Sequence, residues 1–559
     1  MKRGFFVGCN SDFWLGVVNA LADLKFSYIV GLEAALTQID HNVDILHRLE
    51  DAERGVLPDE ISPKLLPVAD ESLLAKFQRA EIAALNIASR MDSGYTFAHE
   101  ERQRLYFSCL EMWLYLVDHL SPQFVLFPDT PHAVLDHTLF HVCQDRNIPM
   151  LTFRYISALG VVIPIRNFAL PNTAILDTYA KLKQHNVEDY QAISKSLSPH
   201  IQRYLSGHGK KYQAAMPQYL KNRLEKEKQK ANIQVESFRP WFIERALNPR
   251  RYPRYLHSLI RLSLSYIRDG IRFFANPPPR NYLKRRYEAL ESSHISGVEY
   301  RLYKLRARYY KKRLNRIYKS LCSKPNFECN YVYVALQYQP ERTSFPEGGR
   351  FSAQVQMVKL LARSVPEDWK IIVKENPTQL LERTGHGERG RLPYFYTDLL
   401  DAGNVELVPI DTSQFDLIDN ARAVATLTGT PGFEAAVRGI PALVFGHAWY
   451  QGCEGVFHVP DRNRLVAALE SIAEGVVISN TRMLLFLKAV ESHGFPGYLN
   501  QKFEAETGIP MAQCIAKVCR MIRDELDSAE QRLGSAQRSL KDFSNPARVL
   551  HIGEKPRLL

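Results

Sequence analysis

Between Tyr331 and Gly446 the chain reads YVYVALQY, FSAQVQMVKLLARS, WKIIVKENP, NVELVPI, QFDLIDNAR, AVATLTG, PGFEAAVRG and PALVFG. Five strand signals with helical patterns between them occupy fewer than 120 residues. That density constrains the fold more than any other feature, because it fits a doubly wound parallel sheet with helices on both faces. The strands are apolar on successive residues, as strands covered on both sides must be.

A looser alternation precedes it. FFVG reads as a first strand, followed by helical stretches through Ala98, then the strand PQFVLF, the helical AVLDHTLFHVCQDRN and the strand IPMLTF. A chain of 559 residues is too long for one hydrophobic core. The expected organisation is an α/β domain over residues 1–178, a basic helical insert over 179–329, a second α/β domain over 330–475, helices over 476–526 and a polar tail over 527–559. Two Rossmann-type parallel-sheet domains facing a cleft form the GT-B arrangement, and a GT-B-like α/β fold is the expectation here.

The formal charge of +12 is unevenly placed: Arg239 to Lys324 holds 22 lysines and arginines against five acids, a balance of +17. Such a segment is expected to meet an anionic partner, a lipid surface or a nucleic acid, although a solvated helical face would look the same. Within it Leu256, Leu259, Ile260, Leu264, Ile267 and Ile271 recur at helical spacing among arginines, suiting either an interfacial helix or one packed on a neighbouring domain. No RNA-binding motif accompanies it, so no nucleic acid is expected. Eight scattered cysteines without a CxxC pair exclude a zinc ribbon and fit a reducing cytoplasm. Asn10, Ser11 and Asp12 interrupt what a signal peptide would keep apolar, and no run reaches the roughly 18 residues of a transmembrane helix. The expected location is cytoplasmic, peripheral at the inner membrane face.

The strongest local signal is TGTPGFEAAVRGIPALVFG. Thr430 suits an N-cap, Pro431 a first helical position and Gly439 a helix end, so a helix starts at the carboxyl end of strand AVATLTG. Its free N–H groups and positive dipole end suit a phosphate, with Thr428 and Gly429 at the approach. Glu434 could accept from ribose hydroxyls or merely complement the dipole. In QPERTSFPEGGRFSAQ, Gly348 and Gly349 allow close approach of a ligand or form an ordinary turn, while Arg342 and Arg350 could pair with phosphate or a sugar carboxylate. At the end of WKIIV, Lys374 could neutralise a leaving phosphate, with Glu375 as its ion-pair partner and Asn376 beside it. Trp449 could stack on a base or simply pack.

The segments QYQPERTS, KENP, DTSQFDLIDNARAV, TGTPGFEA, RGIPALVFG and HAWYQGCEGVF together resemble the capsule polysaccharide biosynthesis family, which includes Kdo transferases using CMP-activated sugar. The resemblance runs from about Asn330 to Pro460, with PDTPHAVLDHTLF a weaker match, and the middle insert carries none of it. It implies a glycosyltransferase that takes a CMP-sugar donor as substrate, needs no cofactor, and serves a glycan or glycolipid acceptor. Where the family often reads Lys-x-His-Pro, this chain has Lys374-Glu375-Asn376-Pro377. Asn376 donates a hydrogen bond but supplies no proton or charge, which keeps a UDP-sugar or a CDP-alcohol donor open, and also a non-catalytic scaffold.

An acceptor would approach from the first domain, so a catalytic base is sought after strand PQFVLF, where Asp129, His132 and Asp136 cluster. Asp129 and His132 are preferred, and a helix cap by Asp129 or Thr130 is the competing role. No paired-aspartate motif stands in a metal-binding setting, so the site is expected to hold no metal and transfer to be metal-independent.

Overall fold

Strand Phe5 to Cys9 buries its side chains alternately in two cores: Phe5 and Val7 join one, Phe6 and Cys9 the other. That double coverage sets the architecture of a computed structural model that describes residues 2–91, 98–184, 190–207, 225, 297–382 and 386–543. The first sheet contains β1 (Arg3–Cys9), β2 (Lys25–Gly31), β3 (Ile45–Arg48), β4 (Phe124–Leu126), β5 (Met150–Ile156), β6 (Val161–Ile165) and β13 (Phe495–Pro496) in the order β13-β6-β5-β4-β1-β2-β3. β3, β2, β1, β4 and β5 run parallel, while β6 and β13 are antiparallel additions at one edge.

The second sheet is wholly parallel. It contains β7 (Tyr331–Ala335), β8 (Lys370–Lys374), β9 (Val405–Val408), β10 (Ala423–Thr426), β11 (Ala442–Val444) and β12 (Val456–His458) in the order β12-β11-β10-β7-β8-β9. Val332 and Val334 of β7 face one core, and Tyr331, Tyr333 and Ala335 the other. In each sheet the first strand lies beside the fourth, so the strand order reverses between β1 and β4 and between β7 and β10. A parallel sheet opens a crevice at the carboxyl edge of such a reversal.

The structure bears out the two-sheet α/β expectation and corrects details. The segment read as helical before Ala98 includes β2 and β3. β2 is buried along nearly its whole length and so lacks the alternation that marks a half-buried strand, while β3 has only four residues. β12 and β13, of three and two residues, are too short to carry a clear strand signal, and Pro164 interrupts the signal of β6. The polar stretch after residue 527 is no tail as far as Phe543, since helix Met511–Phe543 runs through it. Cys514, Val518, Cys519, Ile522 and Leu526 of this helix pack on Phe13 and Trp14, so the end of the chain returns to the first sheet.

Of the expected insert, helix Gly297–Leu321 buries Leu314 and Tyr318 in the core of the second sheet. The amphipathic segment from Leu256 to Ile271 lies outside the described residues, as do residues 544–559. A core containing Phe140, Ile163, Phe433, Tyr450 and Phe486 joins the two domains and the helix Asn480–His493. All eight cysteines are free thiols. Among the described residues no helix is long and apolar enough to cross a membrane.

Candidate active site

Loops after β4 and β7 meet at the junction of the domains, where one buried carboxylate gathers them. Glu347, 1% exposed, accepts from the Thr130 hydroxyl at 2.9 Å and from Arg154 Nη2 at 2.5 Å, and lies 3.2 Å from Arg342 Nε. Burial presses its pKa upward, but Arg154, Arg342 and the Thr130 hydroxyl outweigh it and hold the carboxyl below the ordinary glutamate value. Arg342 also pairs with Asp129. Arg342 and Asp129, both expected in the site, are thus brought together as partners across the cleft.

The three candidate bases fall into different roles. Asp129 is held by Arg342, and its Oδ1 accepts from its neighbour Thr130 N at 2.8 Å. Asp136 accepts from Ala133 N at 2.6 Å and so caps helix Val134–Asp145, a role the sequence assigned to Asp129 or Thr130. Burial raises the Asp136 pKa, with His132 and backbone N–H groups opposing. His132 Nδ1 sits 2.7 Å from the Thr130 carbonyl oxygen, which only accepts, so Nδ1 carries a proton and Nε2 is the ring nitrogen left to act as a base. Arg90 donates to the His132 carbonyl and fixes the backbone there. His132 is therefore the candidate whose basic atom stays available.

On the other side of the cleft, helix Thr430–Val437 begins at the carboxyl end of β10, beside the strand reversal. Its N-cap is Gly429 rather than Thr430, whose side chain is exposed and makes no capping bond. Pro431 stands in the first turn and Gly439 takes φ of 79° just past the end, as the sequence suggested. Gly429 is hemmed in: a Cβ there would lie 2.9 Å from Thr426 Oγ1. Thr428 is tied down, donating to the Thr343 carbonyl at 2.9 Å and accepting from Gln337 Nε2 at 3.0 Å.

Lys374 and Glu434 lie at this same edge and are both buried. Lys374 Nζ donates to the Thr412 carbonyl at 2.6 Å, and burial lowers its pKa to about 8 against the attraction of Asp411 and Glu434. Glu434 Oε2 accepts from Gln414 Nε2 at 2.5 Å, and burial raises its pKa to about 7, with Gln414, Arg438 and Lys374 opposing. Groups whose pKa values burial moves toward neutrality, against their mutual attraction, are those a site for proton-sensitive or phosphate chemistry would collect.

Other expected residues do different work. Glu375 is not the partner of Lys374. Its carboxylate is fully buried and accepts from Arg391 Nε at 2.7 Å, Arg391 Nη2 at 3.0 Å, Tyr396 Oη at 2.8 Å and Asn376 N at 2.7 Å. The distant Arg391 gave no local cue in the sequence. Asn376 Oδ1 accepts from Thr378 N at 3.0 Å and Thr378 Oγ1 at 2.8 Å, forming a turn. Gly348 lets the loop close on itself, because a Cβ would lie 2.3 Å from the Ser344 carbonyl oxygen. Gly349 is needed for its φ of 57°. The glycine pair thus serves the turn. Arg350 is exposed and carries no ion pair among the described residues. Trp449 packs 4.7 Å from Phe433 and 6.5 Å from Phe486, ring centre to ring centre, within the shared core, so it is not a free stacking platform.

Sequence reasoning passed over Glu347, Arg154 and His447. Arg154 interrupts an apolar strand, and a cation in such a run is the cue that would have found it. His447 donates its backbone N–H to the Glu347 carbonyl at 2.8 Å, and its Nδ1 is buried with no hydrogen-bond partner among the described residues. Burial lowers its pKa while Glu347 opposes. A cavity of about 440 Å³ opens away from these residues, at the carboxyl end of β1, lined by Ser11, Asp12, Phe13, Asn500, Gln501 and Lys502.

No protein of curated function matches the sequence. Among solved structures, a beta Kdo 2,7 transferase, KpsC of Thermosulfurimonas dismutans, is similar over 32% of this chain and 62% of its own, at 19% identity and a TM-score of 0.19. The match thus spans less than two thirds of that protein. A UDP-GlcNAc 2-epimerase from Methanocaldococcus jannaschii is similar over 88% of this chain and 99% of its own, at 11% identity and a TM-score of 0.21. The glycotransferase of kitacinnamycin is similar over 93% and 99%, at 11% identity and a TM-score of 0.21. The family match begins at residue 282, upstream of Asn330, and so reaches into the insert expected to carry none of it. Helix Gly297–Leu321 packs in the core of the second sheet, which accounts for its inclusion. Residues 282–458, which contain the whole of the second sheet, match the family described as capsule polysaccharide biosynthesis protein.

Proposed function

We propose that the chain is a glycosyltransferase moving a sugar, Kdo or a related acid, from its CMP conjugate to a capsular or other cell-surface polysaccharide. The observation that carries this reading is the placement of buried Lys374 and Glu434, each within the other's electrostatic reach, at the edge where helix Thr430–Val437 presents its N-terminus. A cation and a helix dipole there favour a phosphate, and a carboxyl poised near neutrality favours ribose hydroxyls. The family match of the same segment supports the reading.

In the transfer, an acceptor hydroxyl forms a bond to the anomeric carbon as the bond from that carbon to the phosphate oxygen breaks. CMP leaves with the bonding electrons, and Lys374 offsets the charge left on its phosphate. His132 Nε2 takes the proton of the hydroxyl, with Nδ1–H anchored on the Thr130 carbonyl. Since Lys374 and the helix neutralise the phosphate, this transfer is metal-independent, and loss of activity in EDTA refutes that part.

Calorimetric titration with CMP, CDP and UDP, on the wild type and on Glu434→Ala, tests the reading. Selective CMP binding weakened by the substitution supports it. Preference for UDP moves the donor to a UDP-sugar, and preference for CDP to a CDP-alcohol. Binding of none of the three leaves a non-catalytic scaffold as the better account.

A further inference from the structure

Helix Gly297–Leu321 has two faces of opposite chemistry. Leu314 and Tyr318 point into the core of the second sheet, where Tyr318 Oη donates to the Val408 carbonyl at 2.5 Å. On the opposite side Arg306, Tyr309, Arg313 and Arg316 succeed one another at three- and four-residue spacing, all exposed, with exposed Lys312 and Lys319 along their flank. No acid occurs between Tyr300 and Lys324, and none of these five cations has an ion pair among the described residues. Like charges three and four residues apart repel, so the stripe weakens its own helix unless an anion lies against it.

Exposed apolar surface borders the stripe. Tyr309 is 67% exposed, and the loop beside the helix, joined to it by the bond from Tyr310 Oη to the Arg391 carbonyl at 2.9 Å, exposes Leu392 by 48% and Tyr394 by 55%. Arginines would serve RNA phosphates equally well, and tyrosines would stack on bases. An exposed leucine beside them has no such use, whereas the boundary between headgroups and acyl chains takes aromatic and aliphatic side chains together.

We propose that this face docks on an anionic phospholipid bilayer, with the cationic stripe among the headgroups and Tyr309, Leu392 and Tyr394 at their inner boundary. The inference stands apart from the proposed reaction and needs no nucleotide.

Flotation of the full chain tests it, using phosphatidylcholine vesicles with and without an about equal amount of phosphatidylglycerol. The wild type is expected to float with the anionic vesicles alone and to be released by salt. Each cation near such a surface is worth roughly a fivefold change in partition, so the triple substitution Arg306→Gln, Arg313→Gln and Arg316→Gln lowers binding on the order of a hundredfold. These side chains are exposed, so the melting temperature should hold. The pair Tyr309→Ser and Leu392→Ser, with charges intact, lowers binding less. The proposal is overturned if the wild type does not float, floats equally on phosphatidylcholine alone, or is matched by the triple variant. It is also overturned if single-stranded RNA at equal phosphate concentration strips the protein from the vesicles, which assigns the stripe to nucleic acid.

Discussion

Replacing Arg391 with Met should unfold the second domain far more readily than its place in a loop suggests. Arg391 and Glu375 are both fully buried, with no water to screen either charge. Removing the guanidinium leaves a carboxylate with only Tyr396 Oη and Asn376 N as donors, and breaking such a pair costs about 3–5 kcal/mol. For a domain of this size that lowers the melting temperature by roughly 6–20 °C. Glu375→Gln in the same background removes the remaining charge while keeping an oxygen for those two donors. The double variant should therefore be more stable than Arg391→Met by roughly 2 kcal/mol, even though it carries one more substitution. Equilibrium urea unfolding followed by tryptophan fluorescence measures this, since Trp369 lies in the same core. Additive effects, or a double variant less stable than Arg391→Met, would show that Glu375 is not held as a buried ion pair and would return it to the list of ligand-binding candidates.

CMP affinity should rise with pH up to about 7 as Glu434 ionises, then fall above about 8 as Lys374 loses its proton. Calorimetry across that range should find the acid limb missing in Glu434→Gln and the alkaline limb missing in Lys374→Arg. His132→Gln should lower kcat by roughly 10²–10⁴ with nucleotide binding unchanged, while Asp136→Asn should instead lower the melting temperature; the opposite pattern in rate and melting assays exchanges their roles. Buried His137 and half-buried His141 have ring nitrogens 3.3 Å apart, and desolvation lowers their pKa values to about 3 and about 4 from 6.5. The unfolded chain binds those protons first, so stability should fall as pH drops from 6.5 toward 4, and the fall should be shallower in His141→Gln by urea titration.

The second sheet was legible in the sequence because its strands are buried on both faces and its helices are short and amphipathic. Local composition therefore reports local structure, from YVYVA of β7 to the helix with Pro431 in its first turn, although the cap falls on Gly429 and not on Thr430. Lys374 and Glu434 could be placed at the sheet edge for the same reason: the end of a strand and the start of a helix are set by neighbours in the chain.

Only the tertiary structure decided what those side chains meet. Glu375 is adjacent to Lys374 but pairs with Arg391, and Glu347 draws on Thr130 and Arg154 from the other domain. Trp449 lost its free face to Phe433 and to Phe486, which arrives on a helix from near the end of the chain. Sequence sets the period and the punctuation of each element, which depend on residues a few positions apart. The desolvation of a charge and the choice of its partner depend on which distant segments close over it, and no local pattern encodes that.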